Sequence, residues 1–233
     1  MPIDIALHLW RLDDAAEGDR LARHLDDGEL ARADRFVRPR DGLAYRIGRG
    51  RLREVLGAVT GTPPAALRFT YGAHGKPALP DGPEFNLSHS GALACLAIAD
   101  RPLGADIEVV RPIEDAVAER FFAPGEYAAL SQLDGTGWVR GFHRCWTRKE
   151  AVVKAMGDGL SIPLDLFDVT LGVDEPPRMT RLAPALGRAD DWRFLHLEVG
   201  DDILGAVAMQ SGGAPIRGHV VAAPEGLAVQ VLA

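Results

Sequence analysis

Apolar spacing along this chain runs from helical to strand-like, back to helical and then to strand-like again, and few folds accommodate that order. After a strand-like alternation over residues 3–10, residues 17–36 carry helical spacing with a break near Asp26, Asp27 and Gly28. Pro39-Arg40-Asp41 reads as a helix start, and Leu43, Ile47, Leu52, Val55, Leu56 and Val59 extend that helix until Gly61-Thr62-Pro63-Pro64 stops it. Strands are then expected near 67–71, 84–87, 92–99 and 103–110, with Arg111-Pro112 as punctuation. The second half repeats the order: helices over 113–121, 124–133 and 138–156, then strands near 167–173, 192–199, 203–210 and 218–221. These readings imply an α+β chain of two pseudo-duplicated halves, 1–110 and 111–233, although no residue-level repeat accompanies them. A ligand site is expected at the junction of the halves.

With 233 residues, 47% hydrophobic and 25% charged, the chain can bury one large core or two closely packed ones and is unlike a disordered segment. Its first residues lack a basic n-region and soon reach Asp13-Asp14, so no signal peptide is expected. The most apolar run, 91–99, is too short to span a membrane as a helix. Cys95 and Cys145 alone argue against a disulfide framework or a cysteine-built metal site, and a cytoplasmic address is expected. Both are read as buried, unreactive thiols, since neither has an activating His pair beside it. The net charge of -7 opposes nucleic acid and anionic membranes as partners. Against that background stand Arg32, Arg35, Arg38, Arg40, Arg46, Arg49, Arg51 and Arg53. They form either a solvated helix face or a seat for a phosphate or an acidic partner.

Asp106 and Glu108 stand two apart on an expected strand, so both carboxylates leave one face. Trp146, Glu150 and Lys154 repeat every four residues in a helical stretch and project toward one region. Taken singly, Trp146 is a core anchor and Glu150 with Lys154 a helix-stabilising pair. Taken together, the three carboxylates offer hard oxygen ligands that suit magnesium better than zinc, with positions left for substrate phosphates. His74-Gly75-Lys76-Pro77 sets a cation on a tight loop, and Asn86, Ser88, His89 and Ser90 form a row that can hold phosphate oxygens or merely cap a turn. A magnesium-dependent nuclease would need a more sustained positive surface. A noncatalytic nucleotide-binding module would have no use for three carboxylates plus Lys154.

The order Gly75-Lys76-Pro77, Phe85-Asn86-Leu87-Ser88-His89-Ser90-Gly91, Gly104-Ala105-Asp106-Ile107-Glu108, Phe121-Phe122-Ala123-Pro124-Gly125-Glu126-Tyr127 and Trp146-Thr147-Arg148-Lys149-Glu150-Ala151 closely resembles the 4'-phosphopantetheinyl transferases of the Sfp type. The resemblance covers residues 32–163. It implies the two-half fold of that family, with the active site at the junction. It also implies a magnesium-dependent transfer of 4'-phosphopantetheine from coenzyme A to a serine of an apo acyl or peptidyl carrier protein of polyketide or nonribosomal peptide synthesis. Asp106, Glu108 and Glu150 match the family's metal-binding carboxylates, and Lys154 its lysine near the pyrophosphate. Lys76, Ser88 and His89 match residues contacting coenzyme A, the latter two at its 3'-phosphate, and His74 falls where adenine is contacted. Arg32 and Arg35 are the nearest matches to basic residues gripping the same phosphate, whereas Glu29 stands where some members carry a basic residue. Glu150 and Lys154 are thus the expected catalytic pair, with Glu150 taking the serine proton either directly or through a metal-bound water. Phe121, Phe122 and Glu126 are expected either to border the carrier's docking surface or to staple a helix. A monomer is expected, because two halves in one chain supply their own interface.

Overall fold

In a computed structural model that describes residues 1–157 and 162–233, β1 (Ile3–Arg11) turns Ile5, Leu7 and Leu9 into the core. Helices α1 (Ala15–Ala22) and α2 (Asp27–Asp34) part at the expected break. There Asp26 accepts from Glu29 N at 2.9 Å while Glu29 accepts from Asp26 N at 3.1 Å, a reciprocal cap that starts α2. Helix α3 (Pro39–Thr60) opens on proline, whose fixed φ suits a first turn, and stops at Gly61 with φ of 69°. Then follow β2 (Thr70–Tyr71), β3 (Pro77–Ala78), β4 (Glu84–Ser90), β5 (Leu93–Ala99) and β6 (Leu103–Val109). The second half contributes α4 (Asp115–Phe121), α5 (Pro124–Leu130), α6 (Gly135–Met156), β7 (Phe167–Val169), β8 (Met179–Leu182), β9 (Trp192–Val199), β10 (Ile203–Gln210), β11 (Ile216–Ala222) and β12 (Val229–Leu232).

Two four-stranded sheets result, ordered β11-β1-β5-β4 and β12-β9-β10-β6. Side-chain parity shows how they stack. From β5, Leu93, Cys95 and Ala97 meet Leu195, Leu197, Val207 and Met209 of the second sheet, while Ala94, Leu96 and Ile98 meet Leu21, Ile47, Leu52 and Leu56 of α1 and α3. From the second sheet, Phe194, Ala206 and Ala208 point the other way, onto Phe142, Cys145, Val152 and Val153 of α6. The layers are therefore helix, sheet, sheet, helix. Strands covered on both faces need apolar residues at every position, which is why all of β5 is buried. The expected division at 110 follows the chain rather than the sheets. β6, from before it, pairs antiparallel with β10, and β11, from after it, pairs parallel with β1.

Several elements differ from expectation for identifiable reasons. The strand expected over 67–71 shrinks to β2, because Pro64–Ala66 makes a 3-10 turn and Arg53 Nη1 takes the carbonyls of Pro64 and Leu67, both at 3.1 Å. The strand expected over 167–173 ends at Val169, and the Thr170 carbonyl goes to the Arg148 guanidinium instead of a ladder partner. β3, β8 and β12 were not anticipated; the first two are short and the third lies at a sheet edge. Among the described residues no helix is long and apolar enough to cross a membrane.

Candidate active site

Where the edges of the two sheets meet, β4 lies against β6 and its alternate residues pair with the β6 backbone. Asn86 Oδ1 accepts from Ala105 N at 2.8 Å, Ser88 Oγ from Ile107 N at 3.3 Å and Ser90 Oγ from Val109 N at 3.0 Å. Asn86, Ser88 and Ser90 of the polar row thus form a side-chain ladder joining the sheets, while Ser88 and His89 also line the cleft of the site. The ladder's hydroxyl protons serve the carboxylates: Ser88 donates to Asp106 Oδ1 at 2.9 Å and Ser90 to Glu108 Oε2 at 2.7 Å. The period of two on both strands aims Asp106 and Glu108 together.

Helix α6 crosses this edge. A Cβ at Gly104 would overlap Ala151 O and Ala155 N, so only glycine lets the helix lie so close to β6. The close approach brings Lys154 Nζ within 2.5 Å of Asp106 Oδ1 and 3.3 Å of Ser88 Oγ. Burial pushes the Asp106 and Glu150 carboxyls above the usual carboxylate range, and the Lys154 ammonium partly opposes this at both. Asp106 Oδ2 and Glu150 Oε1 are buried and find no partner among the described residues. Two lone carboxylate oxygens facing no donor are costly unless a cation joins them. In their present orientations the carboxylates do not close on one point: among the described residues no three His, Cys, Asp or Glu side chains form a ready metal-binding group.

Asp106, Glu108, Glu150, Lys154, Ser88 and His89 all line one cleft of about 510 Å³, whose apolar side is Phe121, Trp146, Ile162, Pro163 and Leu164. Phe121 stands edge-on to Trp146 at 5.9 Å, whereas Phe122 is buried core. The apolar side is braced from within by Lys149, a residue left without a role in the sequence reading. Fully buried, its ammonium donates to Leu164 O and Phe167 O at 2.6 Å each and to Glu126 Oε2 at 2.7 Å. Of the two expectations for Glu126, the helix-start one fits: its carboxylate accepts from Ala123 N at 2.9 Å at the start of α5 and from Val169 N at 2.7 Å.

A second cleft, of about 520 Å³, shares Leu87 and His89 with the first and is bordered by Arg32, Phe36, Tyr45 and Arg49. Arg32 lies over the Tyr45 ring at 5.2 Å. Arg49 donates Nε and Nη2 to Glu29 Oε1 at 2.8 and 2.6 Å and Nη2 to Tyr71 Oη at 2.8 Å, with its guanidinium 4.8 Å from the Phe69 ring. Glu29 also holds Arg53 Nε at 2.8 Å, which accounts for an acidic residue at that position. Arg35 and His74 are exposed and line neither cleft. Nor does Lys76, whose ammonium donates to Leu103 O at 3.0 Å and Lys154 O at 2.9 Å. Both thiols are fully buried, and burial pushes Cys95 up to about 12.

Comparison with known proteins agrees with this geometry. The 4'-phosphopantetheinyl transferase superfamily model matches residues 102–208, and a model of the 4'-phosphopantetheinyl transferase N-terminal region matches residues 12–101. The chain is 39% identical over 218 residues to 4'-phosphopantetheinyl transferase HetI of Nostoc sp., covering 89% of each. It is 34% identical over 160 residues to 4'-phosphopantetheinyl transferase Sfp of Bacillus subtilis, covering 68% of this chain and 71% of that one. With a site of three carboxylates and a lysine at the meeting of two sheets, and relatives of this similarity along most of its length, the chain belongs to the 4'-phosphopantetheinyl transferase family.

Proposed function

We propose that this protein transfers 4'-phosphopantetheine from coenzyme A to a serine of an apo acyl or peptidyl carrier protein, in polyketide or nonribosomal peptide synthesis. The observation that carries the reading is one cleft holding Asp106, Glu108, Glu150 and Lys154, joined through His89 to a basic, aromatic-lined second cleft. A diphosphate suits the first and a phosphorylated nucleoside the second. The unpartnered oxygens of Asp106 and Glu150 favour a divalent cation such as magnesium, which Asp106, Glu108 and Glu150 would hold. When bound it supplies positive charge against the diphosphate oxygens.

The chain's own residues do the rest. Lys154 sets an ammonium beside the leaving phosphate, and such a fixed cation contributes on the order of a few kcal/mol where charge develops. Glu150, held up by burial, accepts the serine proton. The serine oxygen bonds to the β-phosphorus as its bond to the bridging oxygen breaks, and adenosine 3',5'-bisphosphate departs. Arg32 and His89 border the second cleft and would receive the 3'-phosphate. The exposed edge of Phe121 with Trp146 gives the pantetheine arm an apolar side to lie on. We read the protein as a cytoplasmic monomer, a state that sedimentation tests.

Incubation with coenzyme A, magnesium and an apo carrier domain, followed by mass spectrometry of the carrier, should show the added phosphopantetheine. Coenzyme A binding without that addition would make the chain a nucleotide-binding module instead.

A further inference from the structure

We infer that Lys76 is a positioning residue that clamps the end of α6 to the start of β6 and so sets the distance between Lys154 and Asp106. Helix ends leave carbonyls unpaired. In α6 the Val153 carbonyl is taken by Gly157 N at 3.1 Å, and the next, that of Lys154, by the Lys76 ammonium at 2.9 Å. A cation at a helix C-terminus is favourably placed against the helix dipole. The same ammonium holds Leu103 O, in the first residue of β6, at 3.0 Å. One side chain therefore ties together the helix and the strand that carry the site, next to the crossing that Gly104 permits. The backbone it grips is that of Lys154, whose own ammonium meets Asp106.

The hairpin that presents Lys76 is fixed at its other end as well. Gly72 N donates to Lys76 O at 3.0 Å, Gly75 takes a φ of 78° to close the loop, and Tyr71 Oη accepts from Arg49, a wall of the second cleft. The hairpin thus reaches from the nucleotide end of the groove to the last turn of the catalytic helix. Burial lowers the Lys76 ammonium from the usual lysine range, and the nearby charge of Glu84 opposes this.

The kinetic arm of this inference rests on the transfer reading above, and the test separates the two. In Lys76→Met, kcat should fall at least tenfold while the dissociation constant for adenosine 3',5'-bisphosphate, measured by calorimetry, stays within twofold. Lys76→Arg, which restores a donor, should recover much of the lost kcat. Unchanged kcat, or nucleotide affinity weakened as much as kcat falls, overturns the clamp, the latter because Lys76 would then touch the nucleotide. Should Lys76→Met fail to fold, Lys76→Gln carries the same comparison with a neutral donor. If the unaltered chain transfers nothing, the functional reading fails by itself. The clamp is then decided by amide exchange at Ala155, Met156 and Gly157, which should be at least tenfold faster in Lys76→Met; equal rates sink it.

Discussion

The chemistry proposed for Glu150 would come at the expense of stability. Its Oε1 is buried with no partner among the described residues and its carboxyl is held up by burial, so the unliganded chain gains little from the charge. Glu150→Gln keeps the volume and removes the charge. It should cut transfer roughly 100-fold or more while the melting temperature stays level or rises, which parallel rate and thermal measurements would check. His196 makes the opposite test, away from the cleft. Its Nδ1 donates to Gly205 O at 3.1 Å, and burial, then Arg148 and Arg144, push the ring down to about 4. The unfolded chain takes up a proton near pH 6.5 that the folded chain refuses until about 4, so stability is lost as pH falls between the two. The loss approaches roughly 3 kcal/mol. Urea unfolding should show a smaller loss between pH 7 and 4.5 in His196→Asn than in the unaltered chain. At this scale Asp106, Glu108, Glu150 and Lys154 were legible because strand and helix periods place them on one face. The partners of Lys76, Lys149 and Glu126 were not, since two of those that occupy each are main-chain groups, which carry no residue signature.

Elements meet at the crossing of α6 over β6, and the site is a property of that crossing. Gly104→Ala should force the two apart, because a Cβ there meets backbone rather than a side chain able to swing away. Overpacking of this kind costs about 1–3 kcal/mol; with it, Lys154 draws away from Asp106, so transfer should fall further than the stability loss alone explains. Comparison of kcat well below the melting point tests this. The buried brace of the apolar wall predicts a larger stability effect. Lys149→Met leaves the Glu126 carboxylate buried without its cation, a change worth about 3–5 kcal/mol, and chemical denaturation should register it. A double variant, Lys149→Met with Glu126→Leu, should cost less than the sum of the two single changes. The row Asn86, Ser88 and Ser90 was visible in the sequence as a pattern, but its partner was not. Side-chain acceptors pairing with a backbone strand nineteen residues on leave no periodic trace in that strand.

Across the whole molecule, strands are exchanged between the sequence halves, and this decides how the fold behaves as a unit. The element order was readable because apolar period changes with helix and strand; the sheet assignment was not, because β1 pairs with β11 from the far end of the chain and nothing local encodes that register. β1 sits between β11 and β5, and β6 hydrogen bonds to β10 while its inward residues Leu103, Ala105 and Ile107 pack with both sheets. A fragment ending at residue 110 would therefore retain α1, α2 and α3 but lose the ladder of β6 and one side of β1, exposing two unpaired edges and the apolar face that meets Leu195, Leu197, Val207 and Met209. Such a fragment should be unfolded or aggregated by circular dichroism and light scattering, and the entire chain should melt in one calorimetric transition whose van't Hoff and calorimetric enthalpies agree. Two resolved transitions, or a soluble and cooperatively folded 1–110 fragment, would show that each half holds its sheet without the strand lent by the other.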